Sequence, residues 1–321
     1  MNDVRLNDNY QPVVEILLAT FNGEKYIEEF LESLEKQTFK SWSLIVRDDG
    51  SSDSTHTLLT NWLARTGKGY LVTDDLGNIG TIANFSRLTN FTRSKYIMFA
   101  DQDDVWRHNK IELLLNSIKL LENKGNKFVS PALVFSDLTV TNERLQTLAK
   151  SYLSHQGLVS LVPVNYKDIL TQNIAPGCSM MFNSALLRMA SPIPNNIPMH
   201  DWWFVLLSSL FGYIEFISEP TVYYRQHGMN QVGAPGGSTF YRILRVLRNI
   251  KQYRQNLLFA QSQASLIIER YRELLNSEQL TILSIFSNLS TRPPLIRQYF
   301  AFKAGIKKNS FSRSVALYLL M

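Results

Sequence analysis

The stretch VVEILLATFNGEKYIEEFLESLEKQTFKSWSLIVRD (13–48) reads as one strand–helix–strand unit. VVEILLA (13–19) is a near-continuous apolar run, the pattern of a strand covered on both faces in a parallel sheet. Behind it Ile27, Phe30, Leu31 and Leu34 recur at helical spacing, and WSLIVRD (42–48) returns to an apolar run. Parallel neighbours need such a crossover, so this unit argues for an α/β fold.

The alternation continues on the C-terminal side. After the turn GSSDS, Asp53 and Ser54 are capping residues for a helix through Leu58, Leu59 and Trp62. A short strand at YLV (70–72), the segment NIGTIANFSRLTNF and the strand YIMFA (96–100) follow. An open sheet of this kind takes ligands at the carboxyl ends of its strands. The unusual residues stand at those ends: Thr20 to Asn22 in ATFNG, Asp48 to Asp53 in RDDGSSD, and Asp101 to Asp104 in FADQDDVW (99–106). One crevice is expected to gather all three.

Further on, ALVFSDL, CSMMFN, YIEFI and TVYYR extend the same sheet through 131–225. Glycine and proline cluster in QVGAPGGS (231–238), which marks the expected boundary. The division is a domain over 1–232, with halves near 13–105 and 106–232, and a helical region over 238–321. In that region Phe240, Ile243, Leu244, Leu247 and Ile250 share a helical face flanked by Arg242, Arg245 and Arg248. A second helix is expected to about Leu275, and RPP (292–294) breaks the chain before a last amphipathic stretch ending SRSVALYLLM.

With 45% hydrophobic and 19% charged residues over 321 positions, the chain is not of the disordered class. Its net charge of +6 is uneven: residues 237–321 hold 13 Lys/Arg against 3 Glu, leaving −4 before them. Such a tail suits anionic lipid, nucleic acid or an acidic partner, and charge alone does not choose. Cys178 is the one cysteine, which excludes an internal disulfide and leans towards a reducing cytoplasm. The start MNDVRLNDNYQP lacks the basic-then-apolar pattern of a secretory signal. Trp202 to Ile217, interrupted by Gly212 and Glu215, is shorter than the ~20 residues a bilayer requires and reads as a buried helix running into a strand.

Each strand-end cluster has a chemical and a plain reading. Asp101 and Asp103 suit a hard cation, Mg²⁺ or Mn²⁺, whose remaining positions go to phosphate and water. The plain alternative is that Asp104 caps a helix VWRHNKIELLL beside solvated neighbours. Asp49 suits the imide N–H of a uracil or thymine ring, or belongs to a turn capped by Asp53 or Ser54. ATFNG offers a small polar turn against which a base or ribose lies. Cys178, with no base beside it in sequence, reads as packing.

VEILLATFNGEKYIEEFLESLEKQTFKSWSLIVRDDGSSDST (14–55) followed by FADQDDVW resembles the family-two glycosyltransferases, of GT-A fold, over roughly residues 13–230. The resemblance implies transfer of a sugar from a nucleotide donor with inversion at the anomeric carbon. It assigns Thr20, Phe21 and Asn22 to the nucleotide pocket, Asp49 to the base, and Asn78 and Gly80 of NIGTIANF to the donor side. Asp101 and Asp103 become the D-x-D that holds Mg²⁺ or Mn²⁺ and the donor diphosphate. A general base is also needed, and the matching stretch MHDWW (199–203) makes it Asp201, with His200 where an acid is more usual. Local sequence reads Asp201 equally as a helix N-cap.

HDWW, YYRQHGMNQVG (223–233) and NIAPGCSMMFN (173–183) are similar to bacterial members that move L-rhamnose from dTDP-rhamnose onto cell-wall polysaccharide or O-antigen precursors. Relatives with the same motifs use UDP-sugars. In this reading Arg225 neutralises phosphate charge, and His227 completes the metal shell, contacts the diphosphate or is merely structural. The Q-x-x-R-W motif of processive synthases is absent, which implies addition of one or a few sugars. The lack of a G-x-G-x-R-L loop opposes a pyrophosphorylase, while DQDD, Asp49 and Asp201 oppose a non-catalytic scaffold. The basic helices are expected to meet anionic lipid at the inner face of the plasma membrane, where a lipid-linked saccharide acceptor would lie. Otherwise they pack on the catalytic domain or on the second subunit of a homodimer. No nucleic-acid-binding module accompanies the charge.

Overall fold

The apolar run after Val13 forms β1 (Val14–Thr20), flanked on both sides by parallel strands, β2 (Trp42–Asp48) and β4 (Tyr96–Ala100). A computed structural model of the chain describes residues 11–124, 130–227 and 250–307, together with Ser314, Leu317 and Tyr318. β3 (Gly69–Leu71) extends the parallel set beyond β2. Side chains along β1 alternate between two cores, as a central strand requires. Val14, Ile16 and Leu18 pack with Ile27, Leu59 and Leu114; Leu17 packs with Phe85, Leu88 and Trp203.

Those partners come from helices on the two faces. α1 (Ile27–Glu35) buries Ile27, Phe30, Leu31 and Leu34, the residues picked out by periodicity. α2 (Thr55–Thr66) stops where Gly67 turns left-handed at φ 62°. α3 (Thr81–Thr89) starts after Gly80, another left-handed residue at φ 79°. α4 (Lys110–Lys124) covers the α1 side.

The second half joins the sheet differently. β6 (Ala132–Thr141), β7 (Thr147–Ala149), β8 (Met180–Asn183) and β9 (Tyr213–Arg225) give the order β3-β2-β1-β4-β8-β6-β9-β5, with β7 on β6. β8 is antiparallel to both β4 and β6, whereas β6 and β9 run parallel. YIEFI and TVYYR are therefore one strand, not two. Its register slips where Ser136 pairs with Ile217 and Asp137 with Pro220, a residue with no ladder N–H to give.

β5 (Val105–Trp106) corrects another expectation. Val105 and Trp106 do not open a helix; they pair antiparallel with Tyr223 and Val222 of β9, and α4 begins only at Lys110. Asp104 therefore caps nothing. The short helices α5 (Tyr152–Gln156), α6 (Tyr166–Ile169) and α7 (Ser184–Ala190) connect these strands. α8 (His200–Phe211) runs through Gly212 into β9, the helix-into-strand passage expected there.

The expected boundary at 231–238 and the helical face over 240–249 lie outside the described residues. Beyond them come α9 (Ile250–Tyr271), α10 (Ser277–Ser287) and α11 (Pro294–Lys303), the last begun by the proline of RPP. Ala260, Ala264, Ile267, Leu283, Phe286 and Ala301 share a core with Trp203 and Phe204 of α8. Gln279 Nε2 donates to the Leu210 carbonyl at 3.1 Å and Arg270 Nη1 to that of Pro192 at 2.8 Å. The helices thus pack on the sheet body. Among the described residues no helix is long and apolar enough to cross a membrane.

Candidate active site

The first two strand ends are tied together. Thr20 Oγ1 donates to Asp48 Oδ1 at 2.8 Å, and Asp49 N–H to the Thr20 carbonyl at 2.8 Å. Asn22 adopts φ 47°, which asparagine tolerates, and its Oδ1 accepts the Ser52 N–H at 2.9 Å. Phe21 N–H donates to Gln102 Oε1 at 3.0 Å while Gln102 Nε2 donates to the Phe21 carbonyl at 2.9 Å. The middle residue of D-Q-D thus clamps the end of β1 to the end of β4, leaving the Phe21 ring exposed. A side chain at Gly23 would evict Gln102, since its Cβ would fall 2.4 Å from Oε1.

Asp49 is buried and fully engaged. It accepts from Ile79 N–H at 2.9 Å, Gly80 N–H at 2.8 Å and Arg47 Nη1 at 2.7 Å. Arg47, buried too, also bonds Asp74 at 2.8 Å and the Gly77 carbonyl at 3.0 Å. That guanidinium holds the Asp74 carboxyl down to about 2. Asp49 therefore organises the 74–80 loop through its side chain, with Asn78 and Gly80 exposed along it.

At the third end the aspartates differ in their partners. Asp103 Oδ2 lies 2.7 Å from His227 Nε2, and that imidazole sits 4.9 Å from the Tyr26 ring. Arg225 is buried, with Nε on the Asp103 carbonyl at 2.8 Å and its other nitrogens on the Glu143 carbonyl and the Glu29 carboxylate. Its backbone N–H donates to Asp104 Oδ1 at 3.2 Å. The end of β9 thus grips the DQDD turn. Asp101 and Asp104 place ligand atoms within 4.8 Å of one another and of Cys178 Sγ, and the Asp103 carboxylate acts on both.

Burial and the neighbouring Asp103 and Asp201 carboxylates push Asp101 up to about 7. Burial, with Asp103 and Asp101, raises Asp104 as well. Buried carboxylates driven to keep protons by one another are a donor set that a hard divalent cation would relieve. The Cys178 thiol is no such donor, since burial and these same acids hold it protonated. Cys178 is packing, as its sequence suggests, although the fold surrounds it with acids.

Asp201 enters from the first turn of α8. Its Oδ2 accepts the Gly177 N–H at 3.0 Å and its Oδ1 the Trp202 N–H at 2.6 Å. The N-cap position is Met199, one residue before the helix and without a side-chain cap bond, so Asp201 stands inside the first turn and satisfies its Trp202 N–H from there. Burial pushes its carboxyl up to about 7 against those hydrogen bonds, the range in which a carboxylate takes a proton near neutrality. His200 points elsewhere: buried, stacked on Phe85 at 3.9 Å, it has no partner for either ring nitrogen among the described residues. Burial holds it neutral, down to about 3.

No motif in the sequence singles out Lys110. Fully buried at the head of α4, it donates to the Cys178 carbonyl, stands 3.4 Å from the Trp106 ring centroid and sees both Asp104 and Asp101. Burial drops its ammonium to about 7, opposed by the acids. The Cys178 peptide follows the Gly177 N–H that holds Asp201, so Lys110 straps that turn from below. Only a lysine beginning an apolar helix stretch signalled it, and such residues usually reach solvent.

The model of the Glycosyl transferase family 2 matches residues 15–189. The dTDP-rhamnosyl transferase RfbG of Shigella flexneri is 28% identical over 253 residues, 75% of this chain and 82% of that protein. S. aureus TarS 1-349, solved in complex with UDP-GlcNAc, superposes with TM-score 0.54 at 15% identity, covering 96% of this chain and 90% of that one. The mannosyltransferase PcManGT of Pyrobaculum calidifontis, in complex with GDP-Man and Mn²⁺, gives 0.50 at 15% identity, over 99% and 88% of the two chains. Sheet order and neighbours show the GT-A fold, and the matched span covers more than half of the sequence. The chain belongs to glycosyl transferase family 2, a family of inverting glycosyltransferases.

Proposed function

We propose that the chain transfers L-rhamnose from dTDP-L-rhamnose to a saccharide acceptor of bacterial cell-wall polysaccharide or O-antigen, and that Asp201 is its general base. The observation that carries the donor is the likeness to a dTDP-rhamnosyl transferase along most of both chains. For the base it is the buried carboxyl of Asp201, poised near neutrality beside the DQDD carboxylates. Gly177 N–H and Trp202 N–H fix its oxygens, so the group takes the acceptor proton from a set direction.

Asp101 and Asp103 are the residues we assign to Mg²⁺ or Mn²⁺, which would stabilise charge on the leaving diphosphate. The raised Asp101 carboxyl and the Mn²⁺ held by PcManGT support that assignment. His227 and Arg225 then set the position of Asp103, one by its side chain and the other by its backbone. Thr20, Phe21, Asn22, Asp49, Asn78 and Gly80 form the nucleotide side: Asp49 shapes the 77–80 wall, and the clamped Phe21 ring faces outward. We place the acceptor on a lipid carrier and the enzyme, through its basic C-terminal helices, at the cytoplasmic face of an anionic membrane. The UDP-GlcNAc bound by TarS favours a second reading, the same chemistry with a UDP-sugar.

Thermal unfolding against dTDP-rhamnose, UDP-glucose, UDP-GlcNAc and GDP-mannose, with and without Mn²⁺, tests donor and metal together. A donor at ~100 times its dissociation constant adds about 2.7 kcal/mol. Stabilisation by dTDP-rhamnose that needs Mn²⁺ is expected. A response to UDP-sugars alone would replace the donor and keep the transfer.

A further inference from the structure

α11 is built inside out. An ordinary surface helix turns apolar residues inward and polar ones to water. Here Leu295, Ile296, Tyr299 and Phe302 are 81%, 45%, 59% and 76% exposed. Leu295, Tyr299 and Phe302 follow i, i+4, i+7 spacing, so they form one stripe, with Ile296 along its edge. Two polar side chains of the same helix bond the protein's own backbone instead: Arg297 Nε donates to the Arg292 carbonyl at 2.9 Å and Gln298 Nε2 to that of Tyr318 at 3.0 Å. Opposite the stripe Ala301 is buried, and Phe300 lies under the Arg292 guanidinium at 4.3 Å. The helix is thus anchored by its small and polar residues and presents its large apolar ones.

Charge identifies what covers them. Residues 292–307 contain Arg292, Arg297, Lys303 and Lys307 and no acid; Lys303, four residues after Tyr299, is exposed at the flank of the stripe, and Lys307 is exposed beyond the helix end, with the Asp168 carboxylate near it. An acidic protein groove would match the lysines but gain little from four large apolar side chains in a row. An anionic bilayer surface matches both, taking apolar side chains below its headgroups and lysines at their level, with tyrosine suited to the boundary. Two further solvent-exposed leucines, Leu258 and Leu274, belong to the same C-terminal helical region.

We infer that the exposed face of α11 is the membrane-docking surface of this protein, inserting Leu295, Tyr299 and Phe302 into an anionic lipid leaflet with Lys303 and Lys307 at its headgroups. This rests on the membrane placement proposed above and names the surface responsible. It is independent of which sugar is transferred.

Flotation of the full chain with phosphatidylcholine vesicles, with and without about 30% phosphatidylglycerol, tests it at low salt. Wild type is expected to float with the anionic vesicles only. The double variant L295S/F302S is expected to bind at least about tenfold more weakly, because two large apolar groups no longer enter the leaflet. L120S, at another exposed leucine on α4, is expected to bind as wild type does. Both changes lie on the surface, and unchanged thermal unfolding verifies that the variants fold. Equal binding by L295S/F302S would overturn the assignment of α11 and leave membrane docking to another surface. No binding by wild type would overturn both, while donor-dependent thermal stabilisation would still report on the transferase. A wild-type dimer that L295S/F302S converts to monomer, with no vesicle binding by either, would make the stripe a subunit interface and overturn the proposal.

Discussion

Asp201→Asn is expected to abolish transfer and yet stabilise the fold at neutral pH. Burial pushes the Asp201 carboxyl up to about 7, against about 3.9 in an unfolded chain. Between these values the native state keeps a proton that the unfolded state has released, so stability falls as pH rises through the window. At about 1.4 kcal/mol per unit over about three units, ionised Asp201 costs the fold about 4 kcal/mol at pH 7. Asparagine does not ionise and escapes that cost. Its oxygen can still take the Gly177 N–H, now at 3.0 Å, but its NH₂ then meets the Trp202 N–H that Oδ1 accepts at 2.6 Å. Donor against donor gives back about 1–2 kcal/mol. The variant should therefore be about 2–3 kcal/mol more stable than wild type at neutral pH and about 1–2 kcal/mol less stable near pH 4. Urea denaturation of both proteins in chelator, from about pH 4 to about pH 8, measures the crossing. Transfer should fall by about 10²–10⁴ with donor binding retained, and wild-type turnover should rise as Asp201 ionises. A stability difference independent of pH would refute the burial argument. Substantial turnover by D201N would refute the role as base.

Lys110→Met frees the fold of an ammonium that burial drops to about 7, a cost of about 4 kcal/mol at pH 7 against about 10.4 in an unfolded chain. The Cys178 carbonyl left without its donor gives back about 1–3 kcal/mol, so in urea denaturation the variant should be more stable than wild type at neutral pH and less stable near pH 10. It should also slow transfer more than it weakens donor binding, since the strapped turn carries the Gly177 N–H on Asp201; a change confined to donor affinity would exclude that route. Gln102→Ala breaks both bonds to the Phe21 peptide, and about 1–2 kcal/mol should go. Calorimetry should then find weaker donor binding, with turnover at saturating donor near that of wild type.

Sequence carried the first half of the fold because its cues are local. Apolar runs and a 3.6 period in residues 13–100, with the turn GSSDS and its capping residues between them, suffice to place β1, α1, β2, α2 and β4. The DQDD cluster was legible for the same reason, being four adjacent residues at the end of an apolar run. Val105 and Trp106 carry no local signal of a strand because two residues have no period; pairing with Val222 and Tyr223, more than 110 positions away, decides their conformation. Pairing with β6 likewise joins YIEFI and TVYYR into one strand across a register slip that a local pattern reads as a break.

The site divides along the same line. Sequence by itself determined which residue types stand at the strand ends, and so that acids, a small polar turn and a second-half aspartate were available. Tertiary structure decided their duties. It sent the Asp49 carboxylate to the 79–80 backbone, turned Asp103 to His227 and Asp101 towards Cys178, and buried Lys110 beneath them. It also turned the large side chains of α11 outward. The physical reason is common to all of these. Burial, hydrogen bonding and charge pairing act between groups far apart in the chain, and no local pattern encodes which partner a carboxylate or an ammonium will meet.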